Sequence, residues 1–141
     1  MAIIEVEGPI YEKVLKRRVL RAWGFTRIGD AIKRILDECL PSNAVTTQLG
    51  EDRVFWPNGI VPNDYRQFRV GQDEESRRAI DEIPPEEIAN AMQEVLMDFT
   101  SCEKDTLLRE TVKLLGMSVV TSKARKYLEF GIRALEVSGR I

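Results

Sequence analysis

A glycine flanked by two amphipathic segments occurs twice in this chain, at the same spacing of hydrophobic positions. The stretches are GFTRIGDAIKRIL, residues 24–36, and GMSVVTSKARKYL, residues 116–128. Sliding the chain on itself by 92 positions aligns residues 10–40 with residues 102–132 without a gap. Leu15 then meets Leu107, Arg17 meets Arg109, Gly24 meets Gly116 and Leu36 meets Leu128. Substitutions elsewhere keep chemical character: Trp23 falls on Leu115, Phe25 on Met117, Thr26 on Ser118, Ile28 on Val120 and Asp37 on Glu129. An ungapped register of this kind points to an internal duplication rather than to two helix pairs alike only in composition.

Each copy reads as helix, glycine, short turn and second helix. In the first, Leu15, Val19, Ala22 and Trp23 recur at helical spacing over residues 12–23. Gly24 suits the left-handed residue that closes such a helix. Thr26 is the expected cap of the next, whose apolar face is Ile28, Ala31, Ile32, Ile35, Leu36 and Cys39. Pro41 stops it. Val45, Thr47 and Leu49 then alternate with polar residues, Gly50-Glu51-Asp52 turns the chain, and Arg53-Val54-Phe55-Trp56 returns, which predicts a β-hairpin over residues 44–56. Helix, turn, helix and hairpin in this order describe a winged helix.

The fold class expected is mainly α with a small β-hairpin: two winged-helix-like repeats joined by a partly packed linker. The first repeat takes residues 1–57, the linker 58–83 and the second repeat 84–141. In the second repeat a long helix over residues 85–99 precedes the aligned region. The 92-residue shift leaves only Ile3-Ile4-Glu5-Val6-Glu7 of its counterpart, ended by Gly8-Pro9, with a β-strand as the rival reading of IIEV. The first repeat is thus expected to have a truncated first helix and the second a truncated wing. Pro-Asn-Gly, Pro-Asn and Pro-Pro breaks and the acidic DEES run mark the linker, while Tyr65, Phe68 and Val70 suggest that part of it packs down.

The chain contains no histidine, and Cys39 and Cys102 have no CxxC partner, so histidine catalysis is excluded and no ordinary structural zinc site is expected. No GxxxxGK[ST] or GxGxxG is present to cradle phosphate. The acids are read as lying on solvated helix faces or in the linker, where no carboxyl would be raised for catalysis. No catalytic residue, metal or cofactor is therefore expected. With no membrane-spanning run and no signal-peptide pattern, the expected location is cytoplasmic.

The stretches EGPI followed by a basic helix, WGFTRIGDAIKRI, VFWP, and ESRRAIDEIPPEEIANAM followed by LLRETVKLLGM carry a resemblance. Together they resemble the domain of unknown function near the carboxyl end of large superfamily I DNA helicase-related proteins. In that family the domain follows helicase motor segments, often with a nuclease-like segment nearby. The resemblance implies a parent ATP-dependent helicase-like protein; it supplies no catalytic or ligand residue to carry over.

Two function classes follow. The first is an accessory nucleic-acid-binding module whose second core helices present cations to phosphate. The candidates are Arg27, Lys33 and Arg34 in the first copy and Lys123, Arg125, Lys126 and Arg133 in the second. Residues 12–37 carry a net +5, residues 73–105 a net −8 and residues 106–141 a net +4. The whole chain is near neutral at −2, so any DNA binding is expected to be weak and salt-sensitive, and strongest at Lys123, Arg125 and Lys126. The alternative is a protein–protein interaction module without direct nucleic-acid contact. It would dock on the parent's motor domains or, in isolation, pair two copies through an exposed apolar patch.

Overall fold

Glycine-8, tucked against the carbonyl of Ile4, separates two opening elements: helix α1, Ala2–Glu7, and a two-residue strand β1, Ile10–Tyr11. The computed structural model describes every residue except Met1, Thr26, Ile28, Glu75, Thr100 and Ser101. The described residues form two compact units, 1–60 and 61–141, so residues 61–83 of the segment read as a linker lie in the second unit. The architecture is mainly helical with one small antiparallel sheet.

In the first unit, IIEV is helical, the first of its two readings. Helix α2, Glu12–Trp23, buries Val14, Leu15, Val19 and Leu20. Ala22 and Trp23, expected on that face, are exposed; Trp23 retains 42% of its surface. One turn back along the helix, Val19 and Leu20 complete the buried stripe, so the last turn projects beyond its cover. Gly24 closes α2 in the left-handed conformation. Helix α3, Asp30–Cys39, starts at a Gly29 cap. The expected cap Thr26 and the expected face residue Ile28 lie outside the described residues. Of the rest of that face only Leu36 is buried; Ile32 is half-buried, and Ala31, Ile35 and Cys39 are exposed. Amphipathic spacing marks which face could be covered, not whether anything covers it.

Strands β2, Thr46–Leu49, and β3, Asp52–Phe55, make the expected hairpin, with Leu49 opposite Asp52 and Gly50-Glu51 as a two-residue turn. Gly50 has φ of 60°, where a side chain would be strained. Thr47 and Leu49 share the half-buried face, whereas Val45 lies before the strand and is exposed. Not foreseen was β1, which pairs with β3 through Ile10–Phe55 and Tyr11–Val54 to give the order β1-β3-β2. Tyr11, Phe55 and Trp56 are buried with Leu15 and Leu36, and the Trp56 indole donates to Thr47 Oγ1 at 2.9 Å.

In the second unit, helices α4, Pro85–Asp98, α5, Lys104–Leu114, and α6, Ser122–Val137, enclose Ile88, Met92, Leu108, Val112, Leu128 and Leu135. Prolines at the α4 start fit its first turn, and the Thr121 hydroxyl caps α6 by accepting from the Ala124 amide at 3.0 Å. At Gly131 helices α4 and α6 approach so closely that an added methyl carbon would lie 2.4 Å from Ile88 Cγ2.

The two units match locally at the offset of 92. Helices α2 and α5 begin at 12 and 104, α3 and α6 at 30 and 122. Gly24 and Gly116 have φ of 80° and 89°. Each donates to the carbonyl three residues back, Arg21 or Lys113. The next residue donates five back, to Leu20 or Val112. Lys33 and Arg125 then close the first turn of the following helix on Gly29 and Thr121. Leu15 and Leu36 are buried as are Leu107, Leu115 and Leu128, while Val120 is half-buried.

Candidate nucleic-acid interface

The second helix of each helix–turn–helix carries the candidate cations, and their surroundings differ. On α3, Lys33 and Arg34 are exposed, as is Arg27 in the turn before it; among the described residues none of the three holds an ion pair. Asp37, three residues beyond Arg34, pairs with Lys16 of α2 at 2.8 Å. The hydrogen bond from Lys16 holds its carboxyl below the ordinary range. Asp30 remains at the helix start, and Glu51 is exposed at the hairpin turn.

On α6, acids from other elements reach the cations. Lys123 pairs with Asp81 at 3.1 Å and Arg125 with Asp105 at 3.5 Å, while Glu129 is taken by Lys104 at 2.6 Å. Counting charge along α6 alone finds no acid before Glu129. The neutralising carboxylates come from a 3-10 turn, Ile80–Glu82, and from the first turn of α5. All four side chains of the first two pairs are at least a quarter exposed or close to it, so the pairs are weak and open to competition by phosphate. Lys126 lies 5.8 Å from the Tyr127 ring centre and Arg133 5.7 Å from that of Phe130. Tyr127 and Phe130 meet edge to face at 5.6 Å.

A polar cluster at the α4 start was missed by sequence reasoning. Glu87, read as a solvated acid, is fully buried and receives both guanidinium nitrogens of Arg78, at 2.7 and 2.9 Å. The Arg69 amide donates to the same carboxylate at 2.9 Å, and Arg78 also donates to the Arg69 carbonyl at 2.8 Å. Asn90 donates to the Gln67 carbonyl and accepts from Arg140, each at 2.7 Å. These bonds hold Gln67, Arg69, Arg78 and Arg140 on α4. Next to Glu87, burial pushes the Glu86 carboxyl up to about 7, so the expectation that no acid here is raised is also corrected. The available signal was the arginine pair Arg77-Arg78 a few residues before Glu86-Glu87 in SRRAIDEIPPEEI, the residue types that a buried fork–fork pair requires.

Among the described residues no group of three or more thiol and carboxylate side chains is placed to hold a metal ion, and no helix is long and apolar enough to cross a membrane.

Residues 1–34 match a family described as "Protein of unknown function (DUF3320)". The match spans α1, β1, α2 and the first turn of α3. No curated protein and no solved structure matches the chain.

Proposed function

We propose that this chain is an accessory, non-catalytic nucleic-acid-binding module of a superfamily I DNA helicase-like protein, built of two winged-helix-like halves. The observation that carries the reading is the local identity of the two helix–turn–helix units at the 92-residue offset, down to the capping bonds of both glycines. In the first unit the order helix, strand, helix, helix, hairpin, with the early strand pairing on the hairpin, supports the winged-helix reading. The helicase context is what the resemblance of the sequence motifs implies.

Phosphate contact falls to Arg27, Lys33 and Arg34 on the first unit and to Lys123, Arg125, Lys126 and Arg133 on the second. The ion pairs revise the balance between them. Lys123 and Arg125 are partly neutralised by Asp81 and Asp105, whereas Asp37, one turn on from Lys33, is hydrogen-bonded by Lys16. The first unit therefore contributes at least as much as the second, against the charge count along the sequence. Fluorescence anisotropy on a labelled duplex tests this. Reversing Lys33 and Arg34 to glutamate is expected to weaken binding as much as, or more than, reversing Lys123 and Arg125. A larger loss from the second pair would contradict the revised assignment. Loss from neither would contradict nucleic-acid contact by these helices.

A second reading, protein docking, is favoured by one observation: large apolar side chains of the first unit, Trp23, Phe25 and Ile35, are 42%, 45% and 47% exposed.

A further inference from the structure

Helix α6 carries two aromatic side chains among its cations, and they share one flank. At about 100° per residue, Lys123, Lys126, Tyr127, Phe130 and Arg133 lie within an arc of about 120°, beside the buried stripe of Ala124, Leu128, Gly131 and Leu135. The acids of the helix, Glu129 and Glu136, fall outside that arc, and Glu129 is engaged by Lys104. At the 92-residue offset the same flank of α3 is Ala31, Arg34, Ile35 and Glu38. All four are exposed, although that unit's hairpin is in place. The flank therefore faces outward, and Tyr127 and Phe130 stand where the first unit has Ile35 and Glu38.

The two rings are half-buried and nearly perpendicular, at 79°. Lys126 lies over one and Arg133 over the other. Both cations are exposed, so each ring has a face that a solvent-facing side chain reaches. Among the described residues neither cation holds an ion pair, unlike Lys123, which Asp81 engages. Lys126 and Arg133 stand about two turns apart, about 10 Å along the axis, and bracket the ring pair. A duplex offers such rings little, because its base faces are stacked inside and only base edges line the grooves. A single strand offers both unstacked base faces and phosphates, the combination that aromatic rings between cations hold.

We propose that the outward flank of α6 binds single-stranded nucleic acid, with bases stacking on Tyr127 and Phe130 while Lys126 and Arg133 move from the rings to the flanking phosphates. The proposal rests on the nucleic-acid-binding reading above and names the form of strand that α6 takes.

The test measures anisotropy of three fluorescein-labelled probes of about twelve nucleotides with the full chain: oligothymidine, an abasic strand of the same length, and a duplex. The abasic strand keeps the phosphates and lacks the bases. Oligothymidine is expected to bind about tenfold more tightly than the abasic strand. Phe130→Leu, which keeps an apolar side chain, should abolish that preference and leave duplex binding unchanged. Phe25→Ser, which removes an exposed ring of the first unit, should retain the preference. Thermal melting by circular dichroism checks that each variant is folded. Should Phe130→Leu fail to fold, Arg133→Glu reads the same flank from an exposed position, with about a tenfold loss of oligothymidine binding expected. Equal binding of oligothymidine and the abasic strand would overturn the proposal, as would a preference that survives Phe130→Leu or full affinity in Arg133→Glu. Duplex binding without any preference for bases would overturn this proposal and leave phosphate contact standing. A Phe130-dependent preference without duplex binding would support the proposal and contradict duplex contact.

Discussion

Arg78 and Glu87 show what a single charge pair can do when water is excluded. The carboxylate is fully buried and the guanidinium nearly so, at 8% side-chain exposure, and the pair is bidentate. Removing one partner strands the other charge, so Arg78→Ala should cost about 3–5 kcal/mol in urea denaturation. A loss under about 1 kcal/mol would mean that water reaches the site. Leu36 and Leu128, both buried at equivalent positions, should each cost about 2–5 kcal/mol on truncation to alanine. Glu86 behaves differently. Burial lifts its carboxyl from 4.5 to about 7, so the folded protein holds a proton that the unfolded chain has released. Its favourable contribution is complete below pH 4.5 and disappears as pH rises through about 7. Glu86→Gln should therefore flatten the fall in stability across that window and raise stability at pH 8 by about 1–3 kcal/mol. An unchanged pH profile would place the carboxyl in water.

At the scale of elements, the sequence was most legible where periodicity was sustained and a cap or turn residue marked the end. Helix α2 and the start of α4 fall where the spacing, Gly24 and the proline pair placed them, and the hairpin falls within residues 44–56. Strand β1 was invisible because two residues carry no period; its existence depends on the partner strand, 43 or more residues later. Capping of α3 was misplaced for a related reason: a hydroxyl residue three positions upstream looked adequate, and Gly29 can cap without a side chain. Helix–helix approach was equally hidden. Gly131 reads as a weak helix residue, yet it lets α6 close on Ile88. Gly131→Ala should improve helix propensity and still destabilise the unit by about 1–3 kcal/mol through overpacking. A gain in stability would show that α4 can step back.

At the scale of the whole molecule, charge along the chain was a poor guide to charge in space. The sequence placed the cations of α3 and α6 on their helices, but could not show that Asp81 and Asp105 reach Lys123 and Arg125, or that Lys16 of α2 pairs with Asp37. Nor could spacing show that Ala31, Ile35 and Cys39 of α3 are exposed, since an amphipathic face looks the same covered or bare. The proposed phosphate contacts lie on α3, on α6 and in the turns that precede them. Binding to duplex DNA should fall with salt by a log–log slope of about −0.9 for each phosphate neutralised. The most direct measurement is the amide chemical-shift map of the isotopically labelled chain as a short duplex is added. Perturbations clustered at residues 27–34 and 121–133, collapsing as salt is raised, are the result this account predicts. Perturbations confined to other residues, or none at low salt, would contradict it.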